Sequence, residues 1–276
     1  MITSTTIKMK DEEFAELADI IYKNAGITFT LNKKYLLENR LSKRLSELNF
    51  SSYKDYIYFL KYDLKRREEM KILMNLVTIN ETYFLRERAQ MEHMVKKGIP
   101  EMAMKGKRSF KIWSAACSSG EEPYSIAILL NEDGYFGKYN IEIYGTDINT
   151  EVLNIAEKGV YRSVSFRGVQ PSIIDKYFTK NGLDFTLKPE IKSKVKFFQA
   201  NLMESMAASR ICSADFIFCR NVLIYFDVEA KKKVVDNFYK ILPQGGYLYL
   251  GHSETLSKID DRFKPVNFGA GIVYIK

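Results

Sequence analysis

FKIWSAACSSGEEPYSIAILL, residues 110–130, places this chain among the α/β proteins. Its first residues form an apolar segment typical of a buried strand, and a turn of small residues follows. Pro123 suits the first turn of a helix, which the apolar residues 126–130 continue. A strand, a turn of small residues and a helix N-terminus together build the nucleotide-sized pocket of an open α/β sheet.

The polarity of this turn indicates which nucleotide would fit. Only Gly120 is present where a dinucleotide fingerprint would have three glycines, and two acids, Glu121 and Glu122, follow it. Carboxylates at a helix N-terminus repel a pyrophosphate and favour a cationic ligand. An adenosyl group that carries a sulfonium and an ammonium has this polarity, so the stretch predicts a pocket for S-adenosylmethionine.

Composition excludes several classes of protein. In 276 residues, 46% of them hydrophobic, no run approaches the ~18 apolar residues of a membrane-spanning helix. The N-terminus lacks the apolar core of a signal peptide. Three cysteines without a CxxC pair and only two histidines give no zinc-site spacing. We therefore expect a cytoplasmic protein with no membrane insertion and no structural metal.

The pattern of apolar residues divides the chain into two domains. Residues 1–90 show helical periodicity only, for example at Leu37, Leu41 and Leu45. From residue 110 onward, strand and helix patterns alternate, which predicts a mostly parallel sheet with helices on both faces. The expected α/β fold is a Rossmann-like methyltransferase sheet over residues 91–276, preceded by an all-helical N-terminal domain over 1–90.

Two departures from the alternation refine this fold. Residues 160–194 contain short strand-like segments and the tight turn Asn181–Gly182, which predict a small antiparallel β-subdomain inserted before the third core strand. The last two strands are separated only by residues 269–271. This linker is too short for a helical crossover, so these strands should pair antiparallel.

Positive charge is concentrated in the helical part of the chain. Between Lys23 and Arg67 there are eleven Lys and Arg residues against four acids. Arg40, Lys43 and Arg44 lie on the helix that carries the leucine stripe, and we predict that they form a docking face for an acidic partner. A solvated helix face without a partner is the alternative.

Polar side chains follow three of the predicted strands, where ligands bind in such a sheet. Asp147 closes the second strand, and its two carboxylate oxygens could accept both hydroxyls of a ribose. Asn201 and Leu202 follow the third strand and could contact an adenine, although spacing alone favours a turn asparagine at Asn201. Asn221 follows the buried fourth strand and should point into the cleft. No Pro-Pro-aromatic sequence follows it, which argues against an exocyclic amine as substrate.

Several ordered motifs together resemble one known family. NETYFLR (80–86), WSAACSSGEEPYS (113–125), GTDI (145–148), FCRNVLIYF (218–226) and LPQGGYLYLGHSE (242–254) are similar to the CheR family of chemotaxis-receptor glutamate methyltransferases. With the basic helical N-terminus and the inserted β segment, the resemblance covers nearly the whole chain.

The resemblance implies an activity and a set of site residues. The activity is transfer of a methyl group from S-adenosylmethionine to glutamate side chains of chemoreceptors, with S-adenosylhomocysteine as the product. The implied partner is the acidic cytoplasmic helical bundle of a receptor, bound by a monomeric enzyme. Arg86 and Tyr225 are expected to orient the reacting groups, and His252 and Glu254 to position a strand end. The implied cofactor contacts are Asn80, Thr82, Arg86, Glu122, Asp147, Asn201, Leu202, Asn221 and Val222.

Two other functions are compatible with parts of this pattern. A nucleic-acid methyltransferase would share the sheet and the basic segment, but the absence of prolines after Asn221 and the aromatic pattern of the basic segment argue against nucleic acid as a partner. A non-catalytic adaptor that binds the cofactor should carry degraded motifs, and the motifs here are intact.

Overall fold

A seven-stranded sheet forms the centre of the larger of two compact units in a computed structural model, which describes residues 7–204 and 211–276. The strands are β1 (Ser109–Ala115), β2 (Asn140–Asp147), β6 (Val195–Gln199), β7 (Phe216–Cys219), β8 (Tyr247–Leu250), β9 (Lys264–Asn267) and β10 (Ile272–Ile275). Their order in the sheet is β6-β2-β1-β7-β8-β10-β9. The first five strands in this order pair in parallel, and β10 pairs antiparallel with both of its neighbours. The predicted parallel sheet with an antiparallel end is thus confirmed.

The strand order creates a switch point beside β1. From β1 the chain moves to β2 and then β6 on one side, and later to β7 and β8 on the other. Open α/β sheets bind ligands outside the carboxyl ends of the strands at such a point. The helices of this unit are α5 (Arg88–His93), α6 (Ile99–Met104), α7 (Glu121–Glu132), α8 (Thr150–Lys158), α9 (Pro171–Tyr177), α10 (Pro189–Lys192) and α11 (Val228–Ile241).

Close packing fixes β2 against its neighbour β6. A side chain at Gly145 would bring a Cβ within 2.5 Å of the Phe197 ring and 3.1 Å of Cys117 Sγ. Only a glycine leaves room for this ring, which in turn holds the carboxyl end of β2 in place. Asn149 then begins α8, because its side chain accepts hydrogen bonds from the backbone N–H groups of Glu151 and Val152.

The predicted insertion is a separate three-stranded sheet. Strands β3 (Val160–Tyr161), β4 (Phe178–Asn181) and β5 (Asp184–Leu187) pair antiparallel in the order β3-β5-β4. Phe84 stacks on Phe166 with ring centroids 5.2 Å apart and meets Tyr161 and Phe178 edge-on. This aromatic cluster anchors the chain segment around Phe84 to the inserted sheet.

The smaller unit is helical and comprises Met1–Ile79 together with Tyr225–Asp227. Its helices are α1 (Asp11–Ala25), α2 (Lys34–Glu47), α3 (Tyr53–Tyr62) and α4 (Arg66–Val77). Leu37, Leu41 and Leu45 are fully buried, as the helical period predicted. The units divide between Ile79 and Asn80 rather than at residue 90. The reason is that the segment after Asn80 forms its hydrogen bonds within the larger unit, for example from Leu85 N to Ser125 Oγ at 2.8 Å.

Two of the three residues predicted to form a docking face on α2 make contacts within the helical unit. Arg44 Nε and Nη2 donate to the two carboxylate oxygens of Glu69, at 2.9 and 2.5 Å, and Tyr56 donates to the same carboxylate at 2.9 Å. The Glu69 side chain is only 3% exposed. A carboxylate buried to this extent requires a counterion, and the hydrogen bonds to Glu69 raise the pKa of Arg44. Arg44 is therefore a structural residue of the fold.

Arg40 is also engaged internally. Its Nη1 donates to the carbonyl of Val77 at the end of α4, and burial lowers the pKa of the guanidinium. Lys43 differs from both arginines, because its side chain is 89% exposed and lies only 3.7 Å from Glu47 across one helical turn. Of the three predicted docking residues, Lys43 alone presents its charge to solvent.

Replacing Arg44 and Lys43 in turn should separate these roles. Arg44→Met leaves the buried Glu69 without its counterion and should destabilise the helical unit by about 3 kcal/mol. Lys43→Met removes an exposed charge and should change stability by about 0.5 kcal/mol or less. Urea unfolding followed by circular dichroism measures both values. Equal effects of the two replacements would contradict a structural role for Arg44.

Candidate active site at the carboxyl ends of β1, β2 and β7

The loop between β1 and α7 has an unusual backbone conformation. Ala116, Ser118 and Gly120 all have positive φ, of 61°, 50° and 89°. A Cβ at Gly120 would lie 2.7 Å from the Cβ of Ala156, so this position requires glycine for both space and conformation. The loop therefore turns tightly over the end of β1 and brings its backbone close to β2.

Asp147 holds this loop in place. Its Oδ2 accepts a hydrogen bond from Ser118 N at 2.8 Å, and its Oδ1 accepts one from Asn149 N at 2.9 Å. The residue is 5% exposed, and this burial raises the pKa of the carboxyl although the backbone N–H groups oppose the shift. Each carboxylate oxygen can accept a second hydrogen bond in addition to the one from the backbone, which a contact with a ribose hydroxyl would require.

Glu122 is ion-paired across the switch point. Its Oε2 lies 2.9 Å from Nη1 of Arg220, which directly follows β7, and its Oε1 accepts from Ser114 Oγ at 2.6 Å. Nη2 of the same guanidinium lies 3.1 Å from Glu87 and donates to the carbonyl of Arg86 at 2.6 Å. Two carboxylates share one positive charge, so this group keeps a net negative charge.

The segment from Asn80 to Glu87 is fixed to the same loop and helix. The Asn80 carbonyl accepts from Ser118 Oγ at 3.0 Å, and Leu85 N donates to Ser125 on α7. Neither Asn80 nor Thr82 caps the N-terminus of a helix, because the next helix, α5, begins only at Arg88. The Arg86 side chain is half-buried, and its Nη1 donates to the Glu81 carbonyl at 2.9 Å. Asn80 and Arg86 thus connect with Glu122 and Asp147 through Ser118 and Arg220.

Glu254 shapes the turn after β7. Its two oxygens accept backbone hydrogen bonds at 2.7 to 3.3 Å from Asn221, Val222, Ile224 and Gly251. Asn221 has a φ of 60° and packs against Gly251, where a Cβ would lie 2.8 Å from the asparagine amide. Glu254 thereby positions a strand end as expected, whereas His252 is an exposed residue.

Asn201 and Leu202 follow β6 next to the end of β2. Ala200 N donates to the Asp147 carbonyl at 3.0 Å, which places the two strand ends side by side. Asn201 Oδ1 accepts from Met203 N at 3.0 Å, so this residue does form the turn that its sequence also allowed. Leu202 is 8% exposed, and its carbonyl accepts from the Asn237 side chain.

Glu121 has a different role from its neighbour Glu122. It is 2% exposed, and its oxygens accept from Ser119 and from Ser165 of the inserted segment, at 2.7 and 3.0 Å. Burial raises the pKa of this carboxyl. Burial likewise raises the pKa of the Cys117 and Cys219 thiols, which makes both poor nucleophiles.

Sequence reasoning missed the residues that connect the site, Arg220 and Ser118. A charged residue at the end of the buried run Phe216–Cys219 signalled a buried partner, but the identity of that partner depends on strand order. Tyr225 clusters with the helical unit, where its carbonyl accepts from Thr28 N at 2.9 Å. Its pairing with Arg86 at the reacting centre stays a prediction.

The chemistry of these groups fits a nucleoside that carries positive charge. Buried Asp147 offers carboxylate oxygens at the end of β2, and the group around Arg220 retains excess negative charge beside it. Within residues 7–204 and 211–276, no cluster of three or more His, Cys, Asp or Glu side chains could hold a metal ion. In the same ranges, no helix has both the length and the apolar character needed to cross a bilayer.

The fold and this site define a Rossmann-like methyltransferase that uses S-adenosylmethionine. The chain belongs to the CheR family: the family model "CheR methyltransferase, SAM binding domain" matches residues 80–272, and "CheR methyltransferase, all-alpha domain" matches residues 12–78. S-Adenosylmethionine is thus the cofactor, as the acidic turn after β1 predicted.

Curated relatives share nearly the full length of the chain. It is 35% identical to Chemotaxis protein methyltransferase 2 of Vibrio cholerae serotype O1 over 98% of this chain and 94% of the relative. It is 36% identical to Chemotaxis protein methyltransferase of Borreliella burgdorferi, over 91% of this chain and 90% of that protein. Chemotaxis protein methyltransferase 1 of Pseudomonas aeruginosa is 34% identical, over 91% and 93%.

The raised pKa of Glu121 predicts how stability depends on pH. The folded protein holds the Glu121 proton more tightly than the unfolded chain, so this group destabilises the fold as pH rises through its folded pKa. Glu121→Gln keeps hydrogen-bonding partners for Ser119 and Ser165. It should stabilise the protein at pH 7 by about 1 kcal/mol, the usual size of a single stabilising replacement. The gain should disappear as pH falls to the ordinary glutamate value.

Glu132 provides a control of opposite sign. Hydrogen bonds from Lys176 and Tyr177 lower the pKa of its carboxyl. Its contribution to stability is present above the ordinary pKa and is lost as pH falls through the folded pKa. Glu132→Gln should therefore lower the melting temperature at pH 7. Thermal unfolding of both variants between pH 4 and 8 checks the two signs, and a loss of stability in Glu121→Gln at pH 7 would contradict the prediction.

Proposed function

We propose that this protein transfers a methyl group from S-adenosylmethionine to glutamate side chains of chemoreceptors, forming glutamyl methyl esters and S-adenosylhomocysteine. It would act in the cytoplasm as a monomer. The observation that supports this most is the buried carboxylate of Asp147 at the end of β2, in a chain whose full-length relatives are named chemotaxis protein methyltransferases.

The reaction needs little acid–base chemistry from the protein. A substrate glutamate with a pKa near 4.3 is ionised at pH 7 and attacks without a general base. The cofactor would supply a sulfonium methyl group, and the carboxylate oxygen would attack the methyl carbon in line. The bond from this carbon to sulfur would break, and sulfur would keep its electron pair as S-adenosylhomocysteine leaves. The contribution of the chain is to align the carboxylate and to remove part of its water, which can lower the barrier by several kcal/mol.

Specific residues are proposed for these tasks. Arg86 and Tyr225 orient the reacting groups, because a guanidinium and a phenol can both bind a carboxylate oxygen. Asp147 accepts the ribose hydroxyls, and Glu122 interacts with the positively charged end of the cofactor. Asn201 and Leu202 lie beside Asp147 and contact the adenine. Asn80, Thr82, Asn221 and Val222 complete the cofactor contacts on the surrounding segments.

The partner would be the acidic helical bundle of a receptor. Lys43 presents an exposed charge for this contact, whereas Arg40 and Arg44 keep the helix in place through their internal bonds. Contacts between exposed charges are screened by ions, so receptor binding should weaken as salt concentration rises.

Methyl transfer to receptors is the direct test of the proposed function. The protein is incubated with labelled S-adenosylmethionine and membranes that contain chemoreceptors from the same organism, and receptor bands are then treated with alkali. Volatile labelled methanol is the expected result, since alkali hydrolyses a glutamyl methyl ester. Cofactor binding without alkali-labile label on receptors, or label in nucleic acid, would contradict the proposal.

Replacing Arg86 tests its proposed role in orientation. Arg86→Ala should lower kcat by about 100-fold while the melting temperature changes little, because misplaced reacting groups lose that much rate. Arg167→Ala is the matched control, since Arg167 also lies over the Tyr83 ring, at 4.2 Å, and is exposed. It should retain turnover within about threefold. Wild-type turnover in Arg86→Ala would exclude the role.

A further inference from the structure

The buried guanidinium of Arg220 meets acceptors from two separate parts of the chain. Its side chain is 2% exposed, and it contacts the Glu122 carboxylate, the Glu87 carboxylate and the Arg86 carbonyl. A planar guanidinium with several fixed donors can reach such divergent acceptors, whereas a lysine ammonium cannot contact them all in one geometry. These contacts join the end of β7, the start of α7 and the turn before α5.

The contact with Glu122 fixes the direction of that side chain. One carboxylate oxygen accepts from Ser114 Oγ at 2.6 Å and the other faces Arg220 at 2.9 Å. With both oxygens held, the side chain has little freedom left. The Glu122 side chain is 14% exposed, so the ion pair does not remove it completely from solvent.

The contact with the turn before α5 acts on a strained backbone. Leu85 and Glu87 both have positive φ, of 58° and 50°, on either side of Arg86. Residues other than glycine rarely adopt this conformation unless surrounding contacts enforce it. Arg220 supplies two such contacts, one to the Arg86 carbonyl and one to the Glu87 carboxylate.

We propose that Arg220 is a positioning residue, which holds the Glu122 carboxylate in the arrangement that binds the cofactor. This inference rests on the proposed contact between Glu122 and the cofactor. Arg220 acts through Glu122 and does not touch the cofactor itself. Its effect on cofactor affinity should therefore disappear when Glu122 can no longer form the ion pair.

A double-mutant cycle with Arg220→Lys and Glu122→Gln tests this dependence. The dissociation constant of S-adenosylhomocysteine is measured by calorimetry for the full chain and its variants. Each single replacement should raise the constant about tenfold, and the double variant should match Glu122→Gln alone, because coupled residues are not additive. Arg220→Lys keeps the positive charge and so avoids an uncompensated buried pair, and melting curves identify folded variants.

Arg108→Lys is the matched control, since Arg108 also donates to backbone carbonyls but directly precedes β1, at the end of the strand away from the site. It should leave the dissociation constant within about threefold. An equal loss of affinity in Arg108→Lys, an additive double variant, or an unchanged constant in Arg220→Lys overturns the positioning role alone. An unchanged constant in Glu122→Gln overturns the proposed cofactor contact together with it. None of these results depends on the identity of the methyl acceptor, which the receptor labelling tests separately.

Discussion

The ion pair between Arg220 and Glu122 spans the two strands that border the switch point of the sheet. Arg220 follows β7 and Glu122 lies in the first turn of the helix after β1, so their contact joins the segments that follow these two strands. The same guanidinium reaches the turn at Arg86 and Glu87. Because all these groups are largely removed from water, each charge needs a partner, and the arrangement of these segments depends on the contacts of Arg220.

Two further carboxylates organise the site through backbone N–H groups. Asp147 accepts from Ser118 and Asn149 and so holds the loop after β1 against the end of β2. Glu254 does the same for the turn after β7. In both places, loop backbones in left-handed conformations have their polar groups satisfied by one ionisable side chain. These acids give the loops a defined shape, and the proposed ribose contact of Asp147 would use the same carboxylate.

The helical unit shows that a basic sequence segment is not equivalent to a basic surface. Arg44 neutralises the buried Glu69, and Arg40 binds the carbonyl at the end of α4. Their charges stabilise the helices, and of the three residues Lys43 alone has an exposed charge. The proposed docking of an acidic receptor bundle therefore depends on fewer charges of α2 than composition suggested, which makes the contact weaker and its dependence on salt smaller.

The sequence by itself determined the classes of element, the parallel sheet with its antiparallel end, the inserted β-subdomain and the family. These features depend on local periodicity and on motifs of adjacent residues, such as the acidic turn after β1 and the Asp147 strand end. Tertiary structure alone decided which charges pair. Arg220 is distant in the chain from Glu87, and Arg44 is distant from Glu69. The residues next to each arginine in the sequence do not identify the acid with which it pairs. The same reason explains why the boundary between the units lies before Asn80 and not at residue 90. Residues 80–87 form hydrogen bonds to the loop after β1, to α7, to the inserted segment and to Arg220, all of which are distant in the sequence. Pairing of buried charges depends on the fold as a whole, because desolvation makes a partner necessary without specifying where in the chain it lies.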